Sequence, residues 1–261
     1  MLILLSPAKK LVVPEPKSQI SPTAPALLEQ AQILAQTTVQ LSRAQIRQMM
    51  QLSQNLTELT YQRFQALDLA DTNLGSPAAL TFAGDVYTGL QAASLSADDL
   101  AYAQQHLRIL SGLYGVLRPL DVMQPYRLEM GRKLKTAQGE DLYDFWDSRI
   151  ADELNLVLAG HSNKVLINLA SNEYFKSVDK TALGHAVISP VFKEEKDGQQ
   201  RILSFFAKQA RGLMARWILK NKVDTPAGLQ AFSVAGYRYS GADSTDDKPL
   251  FVRPQPAKKA A

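Results

Sequence analysis

Apolar positions along this chain follow two patterns, short unbroken runs and longer stretches at helical spacing. Leu2 to Leu5 is a continuous apolar run closed by Ser6-Pro7, and Val165 to Leu169, opened by Lys164, is a second. Runs of this kind predict strands covered on both faces of a sheet. A proline-rich stretch from Pro14 to Pro25 predicts a loop. Two or three helices are predicted after it: Ala26 to Thr38, Arg43 to Leu52 with Ser42 as N-cap, and Leu56 to Leu67. Further on, Leu142, Phe145, Trp146, Ile150, Leu154 and Val157 mark one face of a long amphipathic helix ending near Gly160. Ala186 to Ile188 and Val191 to Lys193 are strand-like, Lys196 to Gln199 supplies a turn, and Arg201 to Phe205 returns as a partner strand. A helix follows, with Phe206, Ala210, Leu213, Met214, Trp217 and Ile218 on one face; Tyr237 to Tyr239 and Leu250 to Val252 are short closing strands.

The stretch from Leu100 to Gly131 draws these elements together. Leu100, Ala103, Leu107 and Leu110 recur at helical spacing behind a capping pair, Ser96 and Asp99, and the predicted helix stops at Gly112. Gly112-Leu113-Tyr114-Gly115 followed by Val116 and Leu117 reads as a helix-hairpin-helix, whose glycines would let phosphate approach the backbone N–H groups. The stretch Leu110 to Leu117 also fits an αα-hairpin in which the glycines only permit close packing. The predicted architecture is α/β (mixed α+β): one domain over residues 1–253, a mixed sheet covered by helices with the hairpin inserted, and a disordered basic tail over 254–261.

Composition narrows the chemistry. With 261 residues and a formal charge of +4, the chain is mildly basic, compatible with a localised nucleic-acid patch but not with a histone-like tail. Having no cysteine, it excludes disulfides, thiolate metal sites and a cysteine nucleophile. Met1 to Leu5 is too short for a signal peptide or a membrane span, so a cytoplasmic protein without a membrane partner is expected. Two basic sets stand out: Arg118, Arg127, Arg132, Lys133 and Lys135 after the hairpin, and Lys208, Arg211, Arg216 and Lys220 on a helix with no acidic residue between Gly198 and Val223.

Ser6-Pro7-Ala8-Lys9, Gly84-Asp85-Val86-Tyr87-Thr88-Gly89-Leu90, Leu110 to Gly131, Asn168 to Lys176 and Ala210-Arg211-Gly212-Leu213-Met214 resemble the blocks of the bacterial YaaA peroxide-stress-resistance family, in the same order across nearly the whole chain. Lys10, where threonine is common, and Ala83, where a longer polar residue is common, depart from its pattern. The resemblance implies a cytosolic protein that helps cells survive hydrogen peroxide by keeping unincorporated iron low, with a helix-hairpin-helix and a basic cleft that binds DNA. It implies no known catalytic activity.

Two function classes follow. In the first, a monomer binds DNA with low sequence specificity through Gly112, Gly115, Arg118, Arg127, Arg132, Lys133, Lys176, Lys208, Arg211 and Arg216, with Tyr114 and Tyr126 available to stack on exposed bases. In the second, an enzyme acts on a nucleotide or a related small molecule in a pocket at the strand ends, with Lys9, Asp85, Asn168 and Glu173 as candidate catalytic residues; a structural pairing of Lys9 with Glu173 or Asp85 is the plainer outcome. No cofactor and no metal site are expected, because His106, His161 and His185 form no ligand motif.

Overall fold

The computed structural model describes residues 1–15, 21–71 and 74–256. Both unbroken apolar runs form buried strands, and they lie side by side. Leu2–Leu5 pairs in parallel with Val165–Leu169 on one side and with Leu107–Ser111 on the other. Gly115–Leu117 and Ala186–Ile188 complete a five-stranded sheet in the order Gly115–Leu117, Leu107–Ser111, Leu2–Leu5, Val165–Leu169, Ala186–Ile188. Only the Gly115–Leu117 edge is antiparallel. The central strand is buried along its whole length, as expected when helices cover both faces.

A second, four-stranded sheet is built from Gln199–Arg201, Val191–Lys196, Leu250–Pro254 and Arg238–Tyr239. The predicted hairpin is there, but its return strand ends at Arg201, and Ser204 already begins the helix Ser204–Asn221. The last strand runs on to Pro254, and the Gln255 N–H donates to the Glu195 carbonyl at 2.8 Å; a tail from 254 onward therefore starts too early, and residues 257–261 lie outside the described ones. Of the predicted Pro14 to Pro25 loop, residues 16–20 also lie outside them.

The three glutamine-rich helices form at Leu28–Val39, Arg43–Met50 and Gln54–Gln65, the second opened by a Ser42–Gln45 capping box. The long helix predicted up to Gly160 is two helices, Leu142–Trp146 and Arg149–Ala159. Asp147 breaks it with φ +44°. Asp141 caps the first piece by accepting from the Tyr143 and Asp144 N–H groups.

The segment read as a helix-hairpin-helix is a β-hairpin. The helix Ala97–His106 ends before Leu107, where the chain turns into the strand Leu107–Ser111 and returns as Gly115–Leu117. Its apolar residues are buried on both faces, which removes the alternation that marks a strand and leaves a spacing that also fits a helix. The turn is closed internally: the Tyr114 N–H donates to Ser111 Oγ at 2.9 Å, and Trp146 Nε1 donates to the Gly112 carbonyl at 3.1 Å. Gly112 abuts the Leu128 backbone, and at Gly115, with φ +68°, an added Cβ would lie 2.7 Å from the Trp146 ring. The glycines permit close packing rather than approach by a phosphate.

Candidate functional site at the strand ends

Parallel neighbours finish at the same edge of a sheet, so Ser6-Pro7-Ala8-Lys9 and the segment after Leu169 are brought together there. The Ser171 N–H donates to Ser6 Oγ at 2.8 Å, and the Tyr87 hydroxyl donates to the Ser6 carbonyl at 3.0 Å. Around this joint opens a cleft of about 410 Å³. Its walls come from the Ser6–Lys10 segment, the Ala83–Val86 turn, Glu129, the Ser171–Tyr174 turn, and the first turns of Ser204–Asn221 through Lys208 and Arg211. The volume lies within the roughly 300–1,000 Å³ of ordinary ligand pockets.

Glu129 is the electrostatic centre of the cleft. Its side chain is 4% exposed. Lys9 Nζ lies 3.3 Å from Oε1, Arg127 Nη2 donates to the same oxygen at 3.1 Å, and Arg132 Nε lies 3.7 Å from Oε2. A buried carboxylate needs such partners to stay ionised, and three cations around one acid leave the region with excess positive charge. Oε2 has no hydrogen-bond partner among the described residues. Glu173 Oε1 accepts the Gly131 N–H at 3.1 Å. Tyr87, Tyr126 and Tyr174 are buried, which pushes each phenol pKa up, so all three stay protonated.

Lys10, Lys208 and Arg211 line the same cleft without an ion-pair partner among the described residues. Arg211 is half-buried, and burial alone lowers its guanidinium pKa, with no acidic group contributing. A cation held in a concave site without a neutralising neighbour is suited to an incoming anion.

The structure sorts the sequence candidates. Lys9, Asp85 and Glu173 line the cleft. Asn168 does not: its Nδ2 donates to Ser189 Oγ at 3.3 Å and its Oδ1 accepts the Ala170 N–H at 3.0 Å, so it braces the strand end. Lys9 pairs with Glu129 rather than with Glu173 or Asp85. Glu129 is not among the sequence candidates.

Of the basic residues, Lys208 and Arg211 line the cleft, while Arg127 and Arg132 reach it through Glu129. Lys133 is exposed, and Lys176 is exposed with its Nζ 4.3 Å from the Tyr143 ring centroid. Arg216 donates to the Leu90 and Gln91 carbonyls and closes a helix end. Arg118 follows the strand that runs away from this edge and pairs with buried Asp121 at 2.9 Å. Gly112 and Gly115 are buried, as are Tyr114 and Tyr126, which excludes base stacking on either ring as they stand. Of the DNA-contact candidates the cleft therefore keeps Lys208 and Arg211, with Arg127 and Arg132 behind Glu129, and adds Lys9 and Lys10.

A mixed α/β sheet with a charged, anion-suited cleft where its parallel strands end defines the class of protein. A family model described as peroxide stress protein YaaA matches residues 1–243. The chain is 53% identical over 264 residues to a UPF0246 protein of Maricaulis maris, covering 100% of both chains. It is 50% identical to a UPF0246 protein of Phenylobacterium zucineum, covering 100% of this chain and 98% of the relative, and 49% identical to one of Saccharophagus degradans, covering 98% and 100%. The chain belongs to this family of peroxide stress proteins.

Proposed function

We propose that this protein serves the peroxide stress response by binding DNA through its phosphate backbone at the strand-end cleft, in the cytoplasm, where it protects the nucleic acid and helps keep free iron low. The observation that carries this reading is the half-buried Arg211, which faces the cleft beside Lys10 and Lys208 and has no ion-pair partner among the described residues. Contacts from lysine and arginine to phosphate give affinity without sequence information. A cleft of about 410 Å³ cannot admit a duplex groove, so what enters is a phosphate and its sugar or one displaced nucleotide.

The test is titration with duplex and gapped DNA at several salt concentrations. Binding is expected to fall steeply with salt, and Lys208→Ala and Arg211→Ala each to flatten the slope by roughly one ion. Salt-insensitive binding, or none, overturns the proposal.

A second reading, an enzyme acting on a nucleotide-like small molecule, is favoured by one observation, the buried Oε2 of Glu129 in the cleft wall, which accepts no hydrogen bond among the described residues. A nucleoside diphosphate that binds one to one and displaces the duplex would move the conclusion to this reading.

A further inference from the structure

The opposite edge of the same sheet carries a cluster with different chemistry. Leu2–Leu5, Leu107–Ser111 and Val165–Leu169 start there, so Met1, His106 and His161, which precede them, are gathered at one place. Asp224 joins them from the turn after the helix Ser204–Asn221. One ligand atom from each of His106, His161 and Asp224 lies within 4.8 Å of the others. The two imidazole centroids are 4.6 Å apart with their planes at 69°. A recess of about 320 Å³, lined also by Tyr102, Gln105, Ser162 and Lys222, opens over them.

We propose that His106, His161 and Asp224 bind a divalent first-row transition-metal ion. Two imidazoles and one carboxylate form a donor set for zinc, iron(II), cobalt(II) or manganese(II), with remaining coordination positions open to the recess. At His106 the hydrogen bonding leaves a lone pair free. His106 Nδ1 lies 2.9 Å from the Met1 carbonyl, which only accepts, so Nδ1 carries the proton and Nε2 the lone pair. A backbone carbonyl fixing one ring nitrogen is the usual support for a metal-binding histidine. His161 Nδ1 accepts from the Met1 amino group at 3.2 Å, so a metal ion would take that lone pair by displacing the ammonium. Burial keeps both imidazole pKa values below the ordinary histidine value, so both rings are neutral donors at neutral pH.

Two further observations point to a cation. The Met1 amino group lies 2.6 Å from Asp224 Oδ1, so the cluster already holds a positive group, which a metal ion would replace. The helices Ala97–His106, Arg149–Ala159 and Ser204–Asn221 all end at this edge, and their C-terminal carbonyls make it favourable to positive charge. Lys222, with its Nζ 4.6 Å from the Tyr102 ring centroid, is the opposing charge in the recess.

The test is titration of the full chain with cobalt(II), followed by its visible absorption, and competition by zinc(II). One equivalent is expected to bind, with weakening by His161→Ala and Asp224→Asn of at least the roughly 10–100-fold that loss of a supporting residue alone costs. Ser162→Ala, at the recess wall, is expected to leave affinity unchanged. Imidazole NMR signals of the unmodified protein give a readout that needs no variant: zinc is expected to shift His106 and His161 and to leave His185 unmoved. Absence of a one-equivalent cobalt spectrum, equal affinity in all variants, or a zinc effect confined to His185 overturns the proposal.

Discussion

Where the parallel strands finish, the molecule gathers Lys9, Lys10, Lys208 and Arg211 around a clamped carboxylate; where the same strands begin, it gathers two neutral imidazoles and an aspartate. The difference comes from topology. In a layered α/β fold each covering helix runs back against the strands, so helix N-termini accumulate at the strand ends and helix C-termini at the strand starts. Lys208 and Arg211 lie in the first turns of Ser204–Asn221, and Asp224 lies just beyond its last, so one helix serves both edges with opposite ends of its dipole. One edge is suited to anions and the other to cations, although the chain as a whole is only mildly basic.

The strongest way to break this comparison is to find a ligand site belonging to neither edge, and the glycine hairpin is the one the sequence proposed. Gly115→Val forces a β-branched residue to φ +68° against Trp146, and the expected loss is about 3 kcal/mol of unfolding stability from overpacking and backbone strain. Urea denaturation reads it directly. Were the variant to keep its stability and lose DNA binding, the hairpin would be a contact surface and the two-edge picture would be wrong.

Next in size is Glu129→Gln, which tests whether the finishing edge is organised around a buried negative charge. Lys9, Arg127 and Arg132 would lose their shared partner, and since Lys9 is exposed the expected loss is about 2 kcal/mol, below that of a fully buried pair. DNA affinity at low salt is expected to move the other way and rise several-fold, because the cleft gains a positive charge. A parallel fall in stability and affinity would show that Glu129 only holds the loop in place.

These residues also show where the sequence was legible. The meeting of Ser6-Pro7-Ala8-Lys9 with the Asn168 to Glu173 segment could be anticipated because Leu2–Leu5 and Val165–Leu169 are unbroken apolar runs, which only a covered sheet accommodates. The hairpin was misread for the same reason in reverse: full burial of Leu110, Leu113, Val116 and Leu117 erased the period of two. Glu129 gave no periodic signal, since it lies in the non-helical stretch between Met123 and Leu142 and draws its partners from both sides of its own position as well as from Lys9. His106, His161 and Asp224 form no motif, because their meeting depends on where three helices end. Asp147-Ser148, a polar pair inside an amphipathic pattern, was the available sign that the helix predicted to Gly160 would break.

A smaller effect separates the two edges without touching either ligand. Exchanging charge at one edge should leave the other unmoved: Lys208→Ala with Arg211→Ala is expected to leave cobalt(II) affinity within about twofold, and His161→Ala to leave DNA affinity within about twofold, since sites this well separated add independently. Calorimetric titration of both ligands against both variants checks it. A cross-effect larger than that would mean that the helix Ser204–Asn221 couples the edges.

The smallest expected effect is a pH dependence confined to the starting edge. His106 and His161 have folded-state pKa values held below the ordinary histidine value, first by burial and then by the nearby Met1 amino group, with Arg108 also disfavouring charge on His106. Between those depressed values and the ordinary value near 6.5, the unfolded chain binds more protons than the folded one, so stability rises with pH and is lost as pH falls through that window. Asp224 partly offsets the depression at His106, but its own titration lies outside this window: its pKa is lowered below the ordinary carboxylate value, so its contribution is present above about pH 4 and is lost only in stronger acid. The urea midpoint of the unmodified protein is therefore expected to drop between pH 7.5 and 5.5, and the drop to shrink in a His106→Gln, His161→Gln double variant. An unchanged drop would place the titrating groups elsewhere and would show that the imidazoles are not held neutral by the fold.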